Sequence, residues 1–269
     1  MITALVSRKG GVGKTTTAVN LGAALASQGK RVLLVDLDPQ SSASLSLGVP
    51  RDQLGPSSAD VLLHNMPAWE AVRPTSTDGL SLMTSSADLQ RVDAELSVFN
   101  KKEGRLKAAL APLKDRYDHI LLDCPSSLSL LPVNALVASN AFIVPASPQY
   151  LAITGVMNLI GAADRLAWTA GARTLPLGIL LTMVDYRTKL TRRTVDRIRA
   201  EQGPLVFAME IRINTRLAEA PEAGQTIFEY DPSATGAAAY RLLADEYLLR
   251  AGVIEREGRP GDNGNSPGR

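Results

Sequence analysis

An apolar, β-branched run at residues 2–7 leads directly into residues 8–14, "RKGGVGK", and from Thr15 onward the apolar residues take helical spacing. Few patterns bind a chain more tightly than strand, glycine-rich loop and helix in immediate succession. Gly10, Gly11 and Gly13 let consecutive backbone N–H groups converge on one point, and the helix N-terminus adds its partial positive charge there. Such a loop holds a phosphate, with Lys14 placed for the β- and γ-phosphates and the Thr15 hydroxyl for Mg²⁺. The segment departs from the usual G-x-x-x-x-G-K-[ST] spelling, because Arg8 stands where the first glycine belongs and a second lysine, Lys9, lies inside the loop.

The rest of the chain repeats this rhythm. Short apolar runs predict strands at 31–36, 80–84, 119–123, 141–145 and 177–184, several apolar on consecutive residues as strands buried on both faces are. Helical periodicity predicts helices at 15–28, 87–98, 105–116, 129–138, 155–170, 191–202 and 235–250. The expected fold is α/β, a doubly wound, mostly parallel sheet with helices on both faces, forming a single domain over 1–252. Residues 253–269, rich in Gly, Pro and Asn at their end, are expected to be a disordered tail.

Composition narrows the function. With 45% hydrophobic and 21% charged residues, no apolar run long enough to span a bilayer and one cysteine, Cys124, the chain reads as soluble and cytoplasmic. A disulfide framework and a cysteine-rich metal site within one chain are excluded. The net charge of +2 means that any affinity for nucleic acid must come from a local cluster.

Phosphoryl chemistry also needs a carboxylate near the metal and a group that orients water. "HILLDCPSS" ends a buried strand in Asp123, and "RVLLVDLDPQ" ends another in Asp36 and Asp38 before breaking at Pro39. Carboxylates at strand C-termini lie along the edge where open α/β sheets hold ligands.

"KGGVGKTT", "VLLVDLDPQ", "LLDCPSSLSLLPVNAL" and "NTRLAEAPEAGQTIFEYDPSATGAAAY" together resemble the ParA-type ATPases, the deviant Walker A or ParA/MinD group, and most of all its short chromosome-type members. The resemblance implies ATP and Mg²⁺ as ligands and a homodimer formed with ATP. It implies nucleotide contacts from Lys9, Gly10, Gly11, Val12, Gly13, Lys14, Thr15, Thr16 and Asn214, with Thr16 at the α-phosphate. Lys9 would reach across the dimer to the partner's phosphates and act in catalysis with Lys14 and Asp38, the last positioning the attacking water. Asp123 would bind a water of the magnesium held by Thr15, and Asp36 would support that site. Two departures stand out. Ser126 replaces the second proline of the family's pattern, and residues 212–214 read "RIN" where relatives have Pro-Arg-Asn, so of that loop Asn214 carries over.

Residues 187–199 concentrate the charge that the chain as a whole lacks: Arg187, Lys189, Arg192, Arg193, Arg197 and Arg199 against the acid Asp196. Thr191 is the expected helix cap, with Val195 and Ile198 on the inner side. The resemblance implies non-specific binding of double-stranded DNA here and at Arg216, on the nucleoid, together with a ParB-type protein that stimulates hydrolysis. Chromosome or plasmid segregation is the function that follows. One alternative is the same switch carrying a protein cargo on the nucleoid. A MinD-like membrane-positioning ATPase is disfavoured, and no membrane partner is expected, since "GDNGNSPGR" offers no amphipathic terminal helix. His64 and His119 lie far apart with no metal-ligand spacing and are not expected to be catalytic, while Cys124, Trp69 and Trp168 are expected to pack.

Overall fold

The structure is a computed structural model that describes residues 1–97, 100–126, 129–148 and 153–257. The strands are β1 (Ile2–Leu5), β2 (Val32–Asp36), β3 (Val72–Pro74), β4 (Leu80–Met83), β5 (His119–Asp123), β6 (Ala141–Ala146) and β7 (Leu175–Leu181). They form one sheet in the order β3-β4-β2-β5-β1-β6-β7, parallel except for β3, which runs antiparallel at the edge. The α-helices are α1 (Lys14–Ser27), α2 (Ser42–Ser46), α3 (Ser58–His64), α4 (Val92–Leu96), α5 (Arg105–Leu110), α6 (Leu130–Ala138), α7 (Ile153–Thr169), α8 (Lys189–Gln202), α9 (Thr215–Glu219), α10 (Ile227–Tyr230) and α11 (Thr235–Glu257).

Continuous apolar strands become intelligible from where alternate residues go. Leu33, Val35, Ile120 and Leu122 join a core covered by α3 to α8, while Val32, Leu34 and Leu121 join a second core beneath α1 and α11. Side chains two apart share a face, so a strand covered on both faces shows no polar interruption.

Arg250 fastens α11 to the sheet. Its guanidinium donates to the carbonyls of Leu177, Pro204 and Val206, pairs with Glu246 and lies 4.2 Å from the Phe207 ring centroid. Deeper along the same helix, the Tyr247 hydroxyl bridges Thr3 Oγ1 at 2.9 Å and His119 Nδ1 at 3.2 Å.

Several expected boundaries move. The strand expected at 177–184 ends at Leu181, because Met183 turns into the left-handed region at φ 53°. The helix expected at 87–98 divides into a 3₁₀ turn, Ala87–Arg91, and α4, and its last expected residue lies outside the described residues. Helix α11 continues to Glu257, so residues 253–257 of the expected tail are helical, and 258–269 lie outside the described residues. Trp168 is 80% exposed and Trp69 47%, against the expectation that both pack.

Candidate functional site

The C-terminal ends of β2, β5 and β1 lie side by side, and their register sets Asp36 opposite Asp123 and Asp123 opposite Leu5. The phosphate loop therefore starts beside both carboxylates. Its bend requires glycine, since Gly11 (φ 71°) and Gly13 (φ 77°) are both left-handed. Thr182 Oγ1 donates to the Val12 carbonyl at 2.8 Å and anchors the loop from the end of β7. Helix α1 follows with no side-chain cap and no acidic residue in its first turn, so its first N–H groups remain available to an anion.

The two lysines of the loop differ in placement. Lys14 is buried and donates to Ser126 Oγ at 2.5 Å, whereas Lys9 is exposed beside Arg8, Gly10 and Gly11. Arg8 and Lys9 border a cavity of about 490 Å³ lined also by residues of β6 and α7.

Thr15 Oγ1 donates to Asp123 Oδ2 at 2.7 Å, and Asp123 Oδ1 is buried with no partner among the described residues. Burial pushes the Asp123 carboxyl well above the usual range, with the nearby Asp36 charge adding to it. Asp36 is raised too, again by burial, against hydrogen bonds from the Ser44 hydroxyl (2.7 Å) and amide (2.9 Å). Asp38, half-buried, accepts from Gln40 N at 3.0 Å. An orphaned carboxylate oxygen beside a threonine hydroxyl fits a hard divalent cation. Among the described residues no cluster of three or more His, Cys, Asp or Glu surrounds a single point, and a magnesium site needs none, because phosphates and waters supply most of its oxygens.

Thr16 accepts from Asn20 Nδ2 at 2.8 Å through its carbonyl, and Asn20 Oδ1 accepts from Ile227 N, tying α1 to α10. Asn214 caps α9, its Oδ1 accepting from Leu217 N while Nδ2 donates to Thr235 Oγ1 at 2.9 Å. Both ends of that amide are engaged in joining α9 to α11, and among the described residues no hydrogen bond links it to the phosphate loop. The turn after α2 meets the turn after α9 through bare backbone: a Cβ on Gly224 would lie 2.7 Å from Gly48 Cα.

The basic segment is less basic than its sequence window. Arg187 forks onto Asp185 (2.7 Å) and holds that carboxyl down at about 2; Arg197 pairs with Glu201 (2.6 Å) and Arg216 with Glu219 (2.8 Å). Arg199 turns inward to the carbonyls of Phe207 and Ala208 and to Glu210, and so leaves the surface patch. Thr188, and not Thr191, caps α8, while Thr191 is buried in the first turn; Val195 and Ile198 are buried as expected. Lys189, Arg192 and Arg193 are exposed. Arg212, to which the sequence of the 212–214 loop assigns no role, pairs with Glu210 (3.3 Å) and lies over the Tyr186 ring (5.1 Å), which Arg192 also approaches (5.8 Å). No local pattern relates residue 212 to 186 and 192. Their proximity comes from the bridge between Val184 and Arg212.

The family described as "AAA domain" matches residues 1–171. The chromosome-partitioning ATPase Soj of Thermus thermophilus is 43% identical over 92% of this chain and 95% of its own. The chromosome partitioning protein ParA of Caulobacter vibrioides is 38% identical over 93% and 94%. Among solved structures, cobyrinic acid a,c-diamide synthase from Mycobacterium smegmatis with bound ADP and magnesium shares 35% identity and a TM-score of 0.79, covering 96% of each chain. A phosphate loop with two differently placed lysines, strand-end carboxylates and likeness of this extent lead to one placement: the chain belongs to the AAA-domain family and, within it, to the ParA/Soj group of partitioning ATPases.

Proposed function

We propose that this ATPase is a nucleotide-controlled DNA tether. With ATP it dimerises, binds duplex DNA without regard to sequence on the nucleoid, and moves a chromosome or plasmid with a ParB-type partner that stimulates hydrolysis. Gly10 to Thr16 and Lys14 bind the nucleotide, Thr15, Asp123 and Asp36 serve the magnesium site, and Asp38 orients the attacking water. Bound magnesium supplies charge neutralisation to the phosphates. Lys9, exposed on the loop beside Arg8, Gly10 and Gly11, reaches the phosphates of a partner protomer, where a second cation offsets charge on the transferring group. Its exposure on the phosphate loop is the observation that carries this reading.

Lys189, Arg192 and Arg193, with Arg187, Arg197, Arg212 and Arg216 once released from their carboxylates, contact DNA phosphates. Two copies of this face in a dimer neutralise more phosphates than one, so ATP governs affinity through assembly. Binding to unrelated duplex DNA is measured with ADP, ATP and a non-hydrolysable analogue across a salt series, for wild type, Lys9→Ala and Arg187→Ala. The expected result is ATP-dependent binding, with a log–log salt slope of about −0.9 per neutralised phosphate, lost in Lys9→Ala and weakened in Arg187→Ala. Binding that ignores nucleotide refutes the switch. Absence of binding in every state refutes the DNA reading and favours a second one, an amide-forming ATPase, which the likeness to the M. smegmatis synthase supports.

A further inference from the structure

Behind Asp36 and Asp38 four serines are buried together: Ser41, Ser44, Ser58 and Ser85, none more than 2% exposed. A buried hydroxyl costs free energy unless it is hydrogen-bonded, and the bonds these four make converge on one turn. Ser58 Oγ donates to the Asp36 carbonyl at 2.7 Å, Ser44 Oγ to Asp36 Oδ2 at 2.7 Å, and Ser85 Oγ to the Asp38 carbonyl. Ser85 is tied in further: its amide donates to Ser44 Oγ at 3.1 Å, and its hydroxyl lies 3.0 Å from that of Ser41. Ser41 holds a left-handed backbone (φ 57°), an unfavourable conformation for a residue with a side chain, while its amide donates to the same Asp38 carbonyl at 2.8 Å. The loop that follows β4, 47 residues downstream, thus grips the peptide of Asp38 at its carbonyl, while the Asp38 carboxylate accepts from Gln40 N.

We infer that Ser85 is a positioning residue for hydrolysis: its hydroxyl immobilises the Asp38 peptide, and through it the carboxylate that orients water. This rests on the reading of Asp38 given above. In Ser85→Ala the Asp38 carbonyl retains Ser41 N, so the turn persists with one restraint fewer. A small misplacement of a catalytic group is enough to slow turnover by an order of magnitude or more.

The test measures kcat for ATP, the dissociation constant of a fluorescent ATP analogue, ATP-dependent dimerisation and Tm in wild type, Ser85→Ala and Asp38→Ala. The expected outcome for Ser85→Ala is a kcat reduced about tenfold, with nucleotide affinity and dimerisation unchanged within about twofold, a split that general loosening of the fold does not produce. Wild-type kcat in Ser85→Ala, or a parallel loss of binding, dimerisation and Tm, overturns the inference. Undiminished turnover in Asp38→Ala overturns the assignment of Asp38 itself, and the two failures are told apart by which variant shows them. Should Ser85→Ala not fold, Ser41→Gly removes the adjoining hydroxyl while suiting the left-handed backbone, and the same selective loss of kcat is expected.

Discussion

Thr15 Oγ1 donates a 2.7 Å hydrogen bond to Asp123 Oδ2, while the other oxygen of that carboxylate is buried without a partner among the described residues. Asp36 faces it across the β2–β5 register, so two acidic groups share a dry strand end. A protein selected for stability alone would not keep that arrangement. Asp123→Asn removes one of the two acids at no change in shape. The nucleotide-free variant is expected to gain about 1–3 kcal/mol in urea unfolding and to lose ATP hydrolysis. A destabilised variant would count against this reading of the pair.

Ser126 Oγ accepts from Lys14 Nζ at 2.5 Å, a bond that Lys14 must release to reach a phosphate. Ser126→Ala removes the competitor. Nucleotide affinity, followed by equilibrium fluorescence titration, is expected to rise about threefold to tenfold, the worth of one hydrogen bond of about 1 kcal/mol. Unchanged or weaker binding would show that Ser126 guides the lysine and does not hold it back.

Asp185 neutralises Arg187 through a forked pair on the exposed lead into α8. If α8 is the DNA face, Asp185→Asn strengthens duplex binding with ATP and steepens its salt dependence by about one phosphate contact. Arg193→Ala weakens binding and makes the slope shallower. Indifference to both substitutions would place the DNA site elsewhere.

Arg250 satisfies three carbonyls at once, those of Leu177, Pro204 and Val206. Arg250→Met keeps the aliphatic stem and strands the carbonyls. A loss of about 2–4 kcal/mol in chemical denaturation is expected, with kcat per folded molecule unchanged because the staple is remote from the phosphate loop. A loss below about 0.5 kcal/mol would make it a surface pair like any other.

His119 is 7% exposed against Tyr247, and burial, with the chain's terminal ammonium charge second, lowers its pKa to about 4. The unfolded chain binds the proton near pH 6.5 and the native one near 4, so between these values the unfolded state carries more protons and stability falls as pH falls. Asp36 and Asp123 act in the opposite sense, since their native carboxyls are raised, and the diagnostic quantity is therefore a difference. Wild type minus His119→Gln in urea unfolding should decline by on the order of 2 kcal/mol from pH 7 to pH 4. A flat difference would mean that His119 charges freely in the native protein.

The elements that were legible in the sequence are those whose signal is local. Apolar runs such as 32–36 and 119–123 announce strands covered on both sides, and "KGGVGKTT" announces the loop and α1. Helices α3 and α10 were missed although each begins with a capping box, Ser57 with Asp60 and Thr226 with Glu229, because both are too short to show periodicity. Strand β3 has three residues, one of them proline, and exists only by pairing at the edge of β4. The carboxylates that mask the basic segment lie at 185, 201 and 210, outside residues 187–199. The serines behind Asp38 belong to segments that only the sheet brings together.

Gly48 and Gly224 touch with no side chain between them. Most neighbouring segments are separated by rotamers that yield when one segment shifts. Here the backbone at Gly48, which follows the Asp36–Asp38 turn and α2, lies directly against the backbone at Gly224, which follows Arg216 and α9. A side chain on Gly224 would meet the Gly48 backbone at 2.7 Å and wedge the two turns apart.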